Sequence, residues 1–100
     1  MFLDEKCLGR DFAGVIEEVG TNLQEKWSTG DKVCGMTIRV GGQGTISSRI
    51  LVDPSSDVVM TVPESLSDEE AAALPLTFGT AYRCLAYAKL GAGSRVCTLG

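Results

Sequence analysis

Residues 62–85, with the sequence VPESLSDEEAAALPLTFGTAYRCL, mark the point where the chain changes from strand-like to helix-like patterns. Ser67 and Glu70 have the spacing of a capping box, in which each side chain hydrogen-bonds the other residue's backbone N–H. The alanines that follow predict a short helix ending at Leu74, because a proline disfavours helical backbone in the residue before it. Pro75 is itself favoured in the first turn of a helix. This stretch therefore predicts two short helices.

The second predicted helix has a regular apolar face. Its apolar side chains recur at the three- and four-residue spacing of a helix, which is typical of a buried face. They are Phe78, Ala81, Tyr82, Leu85 and Ala88. Gly91 is expected just past the helix end, a position that favours glycine. Residues 95–99, RVCTL, then predict a short strand that stops at Gly100.

Upstream of residue 63 the chain alternates strand-like runs with turns. Residues 12–19 are ambiguous, because their apolar side chains have helical spacing while Gly14 and the β-branched residues oppose a helix. Three other runs predict strands: residues 32–36, 45–52 and 58–62. Several short strands separated by turns are typical of a small barrel or sandwich.

Composition excludes several classes of protein. The chain has 100 residues, enough for one small domain. Its net charge of −4 argues against a nucleic acid or an anionic membrane as a partner. The chain has no histidine, so the commonest general base and metal ligand is missing. We find no secretion signal and no apolar run long enough to span a bilayer, which predicts a cytoplasmic protein without an integral membrane segment.

The four cysteines are Cys7, Cys34, Cys84 and Cys97. Because no two of them form a C-x-x-C pair, a zinc finger or a thioredoxin-type site has no support. We expect reduced, mostly buried thiols.

The remaining candidates for a functional or a core role are five acidic residues, two aromatic residues and one threonine. Each acid has no evident partner group, so a solvated charge or a turn former is the simpler interpretation. Thr80, between Gly79 and Ala81, is either a packed helix threonine or a place where small neighbours admit a flat ligand ring. The acids are Asp11, Glu17, Glu18, Asp31 and Asp57, and the expected core anchors are Trp27 and Tyr82.

Four segments in register resemble the medium-chain dehydrogenase/reductase superfamily, in its zinc-independent quinone-oxidoreductase-like branch. They are Gly9–Ile16 (GRDFAGVI), Gly30–Val33 (GDKV), residues 62–85 and Gly93–Gly100 (GSRVCTLG). Together they extend over nearly the whole chain, in the order found in that family.

The resemblance implies a mainly β fold with α segments, built as parts of two domains. Residues 1–63 would form a GroES-like β-barrel, incomplete at its N-terminus. Residues 64–91 would form linking helices, and residues 92–100 the truncated start of a Rossmann nucleotide-binding domain. The resemblance also makes residues 12–19 a strand, against their helical spacing.

The resemblance further implies a cofactor, NADPH or NADH, bound between the two domains of the complete protein. Thr80 matches the helix position that faces the nicotinamide ring, and Gly100 matches the first glycine of the phosphate loop. Zinc-dependent relatives carry Gly-His-Glu where this chain has Gly9-Arg10-Asp11, and a cysteine ligand where it has Leu76. No zinc is therefore expected, and no catalytic residue is identified.

The first hypothesis is a fragment of an NAD(P)H-dependent oxidoreductase that transfers hydride to a quinone, an enone or a related carbonyl compound. By itself, the fragment is expected to be inactive, unable to bind NADPH, and aggregation-prone or homo-oligomeric. The second is a non-catalytic scaffold or membrane-associated binding protein on the same fold, because Trp27 and Gly44-Thr45-Ile46 are most similar to a fungal subgroup with such members. The third is an independent β-rich binding module.

Overall fold

The computed structural model describes residues 8–38 and 44–99 and shows a mixed β/α fold. Three strands form one antiparallel sheet with the order β1-β2-β3, and one long helix packs against β1 and β2. The elements are β1 (Asp11–Val15), a 3-10 helix (Thr21–Leu23), β2 (Lys32–Met36), β3 (Val58–Thr61) and α1 (Asp68–Tyr87).

The core consists of two clusters, one on each face of the sheet, and neighbouring residues of β2 belong to different clusters. Val33 packs with Phe12 and Trp27 on one face. Cys34 packs with Val62 and Ala71 on the other, and Ala71 brings the first turns of α1 onto the sheet. Because successive strand side chains point to opposite faces, β1 and β2 each contribute to both clusters, whereas β3 contributes Val59 to the first.

Gly35 lets β1 and β3 approach β2 closely. It pairs with Phe12 on one side and Val59 on the other. A Cβ built at Gly35 would overlap the carbonyl oxygen of Val58 and lie 2.7 Å from Cζ of Phe12. A glycine is thus required for the Phe12 ring to pack beside β2.

The strand expected from the family resemblance for residues 12–19 is present in part, as β1, and the helical spacing there is misleading. Strand pairing with β2 satisfies the backbone of Asp11–Val15. Beyond β1, Ile16 continues the contact with N–H···O=C bonds to and from the Gly30–Asp31 turn. Gly14, a weak helix former, lies within the strand. The strands expected at 32–36 and 58–62 are confirmed as β2 and β3.

The prediction of two helices divided at Pro75 is wrong, because α1 runs through that proline for 20 residues. The capping box is confirmed: Ser67 Oγ accepts from the Glu70 N–H at 3.2 Å, and Glu70 Oε2 accepts from the Ser67 N–H at 2.9 Å. This start, together with burial of Ala71 on the sheet, stabilises the helix on the N-terminal side of Pro75. The proline removes one backbone donor, and the helix continues past the loss.

The left-handed position that follows the helix end lies two residues before the glycine expected there. Lys89, with φ of 53°, takes the left-handed position that was expected for Gly91. The Lys89 N–H donates to the Ala86 carbonyl and the Leu90 N–H to the Leu85 carbonyl, the two bonds of a Schellman motif.

Two other strand predictions are wrong: residues 45–52 and 95–99 form no strand. Alternating side chains make a strand only where a neighbouring strand pairs with the backbone. Within residues 8–38 and 44–99, the three strands β1, β2 and β3 pair only with each other. Tyr82 is also not a core anchor, since 63% of the residue is exposed, along with the apolar face around it.

Candidate functional site

Thr80 lies on an open face of α1, beyond the part of the helix that packs on the sheet. Its side chain is exposed, and within the described ranges its hydroxyl has no hydrogen-bond partner. Thr77, one turn earlier, differs, because its hydroxyl donates to the Ala73 carbonyl at 2.7 Å. Within the described residues, Thr80 is therefore not packed against another part of the chain.

The surface beside Thr80 admits a flat group. A Cβ built at Gly79 meets nothing within 4 Å, so the helix surface there is bare. A flat ring could lie on such a surface, since no side chain covers it. Gly100, the other residue assigned to cofactor binding, lies outside the described residues.

Two positions that the family resemblance matches to zinc ligands have structural roles here. Arg10 donates from Nε to the Thr37 carbonyl at 3.2 Å and from Nη2 to the Ile38 carbonyl at 3.4 Å, which fastens the chain before β1 to the chain after β2. Leu76 is half-buried on α1. Neither side chain offers an electron pair to a metal ion. In the part of the chain that the structure describes, no three Cys, Asp or Glu side chains converge as a metal site would require.

A second feature is an open groove of about 940 Å³ on the Trp27 face of the sheet. Its floor is Phe12, Val33 and Val59, and Ile50 and Val52 line one side. The groove does not include Thr80. It is therefore a separate concavity, lined by both apolar and polar residues.

Trp27 is a core anchor, as predicted, and supplies a wall of this groove. Only 7% of the residue is exposed, and Lys26 Nζ lies 5.4 Å from the ring centroid. The indole Nε1 is buried without a hydrogen-bond acceptor in the described structure. A buried donor without an acceptor costs about 1–3 kcal/mol, so this indole gains from any arrangement that brings an acceptor to it.

Asp57 is the residue that the sequence interpretation missed, since it was taken for a solvated charge or a turn former. It is 6% exposed, and its two carboxylate oxygens accept from the Ile38 N–H at 3.2 Å and the Asp53 N–H at 3.0 Å. A buried carboxylate is stabilised by such donors. Asp57 therefore ties the end of β2 to the turn before β3, and the only sequence signal was its place directly before a strand.

The other acids agree with the simpler interpretation. Asp31 Oδ2 accepts from the Ser28 N–H at 2.9 Å in the turn before β2. Glu17 forms an exposed ion pair with Arg49 at 2.9 Å, at the rim of the groove. Asp11 and Glu18 are exposed.

The cysteines are less buried than expected. Cys34 is buried, but Cys84 and Cys97 are exposed, and all three are free thiols. Burial raises the pKa of the Cys34 thiol. Cys7 lies outside the described residues.

No helix of the described ranges is both long enough and apolar enough to cross a bilayer.

Comparison with known proteins finds similar curated proteins, among them two from yeast. AST1 of Saccharomyces cerevisiae is 44% identical over 79 residues, which cover 78% of this chain and 18% of AST1. YIM1 of the same yeast is 39% identical over 90 residues, covering 80% of this chain and 25% of YIM1. The chain thus spans about a fifth to a quarter of the length of the curated relatives it matches. No family model and no solved structure matches it.

Proposed function

We propose that this chain is part of a zinc-independent NAD(P)H-dependent oxidoreductase that reduces a quinone, an enone or a related carbonyl compound. The observation that carries the proposal is the position of Thr80, exposed on α1 with an unused hydroxyl beside the bare surface of Gly79. The sequence resemblance assigns this helix position to the nicotinamide ring. Residues up to 63 belong to a GroES-like barrel in this proposal, and the chain after residue 91 leads into a Rossmann domain.

The nicotinamide, when bound, supplies the hydride. The part that this chain contributes is a surface and one hydrogen-bonding group. Gly79 leaves the surface flat, and Thr80 Oγ1 can donate to a carboxamide oxygen or accept from its N–H₂. Since α1 packs on the sheet through Ala71, the sheet sets the direction in which the helix carries Thr80. Orientation of this kind accelerates hydride transfer without a catalytic acid in the described residues.

The test uses the full-length protein that contains this chain. NADPH oxidation is followed by absorbance with a panel of quinones and enones, for the natural sequence and for Thr80→Leu. A leucine at position 80 would cover the flat surface and displace the ring by about 1 Å, so we expect kcat/KM for NADPH to fall by about 100-fold. Thr77→Leu is the control, because Thr77 uses its hydroxyl within the helix, and it is expected to leave kcat/KM within about threefold.

Activity that is equal in Thr80→Leu and Thr77→Leu would contradict the role of Thr80. Lack of turnover with every acceptor, together with lack of NADPH binding by the full-length protein, would contradict the oxidoreductase itself.

A non-catalytic binding protein on the same fold is the second candidate. The groove beside Trp27 favours it, because the groove lies apart from Thr80 and holds an indole donor without an acceptor. In that case apolar carbonyl compounds would quench or shift Trp27 fluorescence in the full-length protein without any NADPH oxidation. The oxidoreductase predicts turnover that does not depend on the groove.

A further inference from the structure

We infer that the outer side of β1 binds an extended peptide as an added strand, and that apolar and basic residues alternate in this peptide. The outer side, called the β1 edge below, consists of the backbone N–H and C=O groups of Asp11, Ala13 and Val15. These residues line the groove beside Trp27, together with residues 47–54. The groove does not include Thr80, so this binding is independent of the proposed reduction.

The hydrogen bonds between β1 and β2 decide which residues of β1 face outwards. The Ile16 N–H donates to the Asp31 carbonyl, and hydrogen-bonded positions alternate along an antiparallel pair. Phe12 and Gly14 therefore also bond to β2, whereas the groups of the β1 edge point away from it. Within residues 8–38 and 44–99, no hydrogen bond satisfies the β1 edge.

The β1 edge itself indicates the class of its ligand. N–H and C=O groups that repeat along an unpaired strand are matched by another backbone in the extended conformation. An antiparallel strand of about five residues, in the direction that the rest of the sheet uses, pairs its first, third and fifth residues with Val15, Ala13 and Asp11. A small apolar compound in the groove would leave this row of groups unmatched.

The side chains of the groove favour apolar residues at the second and fourth positions of the peptide. Alternate side chains of a strand point to opposite faces, so these two lie opposite Gly14 and Phe12, on the face that carries Trp27. Phe12 and Trp27 are buried and apolar, and a Cβ built at Gly14 meets nothing within 4 Å. This face therefore has room for an apolar side chain beside an apolar cluster.

The charges of the groove favour basic residues at the two ends of the peptide. Asp11 begins β1 and Glu18 follows its end, both are exposed in the groove, and neither forms an ion pair in the described part of the chain. Arg49 is the only basic residue among the described lining residues, and it pairs with Glu17. A peptide with basic ends complements these carboxylates, and an acidic peptide is repelled.

Titration of the 100-residue chain with a labelled Lys-Val-Lys-Val-Lys peptide, acetylated and amidated at its ends, tests the site by fluorescence anisotropy. We expect saturable binding that weakens as salt screens the lysines. N-methylation of the lysine amides removes the donors that face β1 and is expected to weaken binding by about tenfold or more. N-methylation of the valine amides, which point away from β1, is the control and should change the affinity by no more than about threefold. Glu-Val-Glu-Val-Glu should bind about tenfold more weakly or worse.

A substitution in the chain tests the β1 edge from the other side. Val15→Pro removes an N–H that points away from β2, so it leaves the β1–β2 pairing in place and is expected to weaken the peptide by about tenfold. Val15→Ala keeps the N–H and should change the affinity by no more than about threefold. Circular dichroism and urea unfolding check that both variants are folded.

Hydrogen exchange locates the added strand. The peptide should slow exchange of the Ala13 and Val15 amides and leave the Gly14 amide, which already bonds to β2, unchanged. Equal binding of the lysine and glutamate peptides, equal losses from the two N-methylated peptides, or no binding at all would overturn the inference. So would protection of the Ala13 amide without peptide. If that protection disappears on dilution, a second copy covers the β1 edge, and if it persists in the full-length protein, another segment of the same protein does.

Discussion

At Gly35 the sheet has room for a hydrogen atom and nothing larger. A methyl group there would overlap the Val58 carbonyl and press on the Phe12 ring, which pack on β2 from its two sides. We expect Gly35→Ala to lower the free energy of unfolding by about 2–3 kcal/mol, as overpacking of a core does. Urea unfolding of the chain measures this.

Gly14 is the matched control for Gly35, because it is also a strand glycine but a Cβ there meets nothing within 4 Å. Gly14→Ala should leave stability unchanged or raise it by up to about 1 kcal/mol, since alanine loses less conformational entropy on folding. Equal loss of stability in the two variants would show that the contacts at Gly35 are not the cause.

Because of Cys34, the stability of the sheet is expected to decrease at alkaline pH. Its pKa in the folded chain is raised by burial above the ordinary value of 9.0, so the folded state keeps a proton that the unfolded state gives up. The contribution of this thiol to stability is complete below pH 9.0 and is lost as the pH rises through the folded-state pKa. Unfolding measured between neutral and alkaline pH should show this decline, and Cys34→Ala should reduce it.

The same burial sets the order in which the thiols react. At mildly alkaline pH a maleimide should modify the exposed Cys84 and Cys97 quickly and Cys34 only when the sheet opens. Mass spectrometry of the peptides distinguishes the sites, and equal rates at Cys34 and Cys84 would contradict the buried position of Cys34.

Among the elements, α1 ends on a residue that is poorly suited to its conformation. Lys89 has a left-handed backbone, which costs a residue with a Cβ about 1–2 kcal/mol. We expect Lys89→Gly to stabilise the last turn by about 1 kcal/mol, which slows hydrogen exchange of the Tyr87 amide about fivefold. The effect on global unfolding should be small, because this part of the helix does not pack on the sheet.

Ala88, directly before Lys89, provides the control. Its backbone is right-handed, with φ of −71°, so Ala88→Gly relieves no strain and should speed exchange of the same amide. If both glycine variants slow the exchange, the left-handed conformation of Lys89 is not the reason.

The helix and the strands also show which sequence signals were sufficient to predict an element correctly. The capping box at Ser67 was sufficient for the start of α1, because both of its hydrogen bonds are local in sequence. Pro75 was misleading, because its cost is local whereas burial of Ala71 on the sheet and the preceding helical turns outweigh it. The alternation in residues 45–52 was misleading for the opposite reason, since a strand depends on a distant partner that sequence spacing does not reveal.

Only part of the candidate site was predictable from the sequence. The small residues around Thr80 indicated an open surface, which the structure has at Gly79. The sequence could not show that the Asp57 carboxylate is buried between two backbone donors, because those donors come from residues 19 and 4 positions away.

For the whole molecule, packing is concentrated in the sheet and decreases along α1. Every described residue from Thr80 onward is exposed, whereas β2 is paired on both sides. We therefore expect hydrogen exchange to be slowest in Val33–Met36 and to approach the unfolded rate in residues 91–99. Strong protection of residues 91–99 would contradict this distribution of stability.

Trp27 provides an intrinsic fluorescence probe of the sheet. It is the only tryptophan in the sequence, and it packs with Phe12 and Val33 rather than with α1. Its emission will therefore record the melting of the sheet and remain almost silent when the end of the helix frays, while far-ultraviolet dichroism records the helix. A difference between the midpoints of the two melting curves would measure how weakly the unfolding of the sheet is coupled to the unfolding of α1.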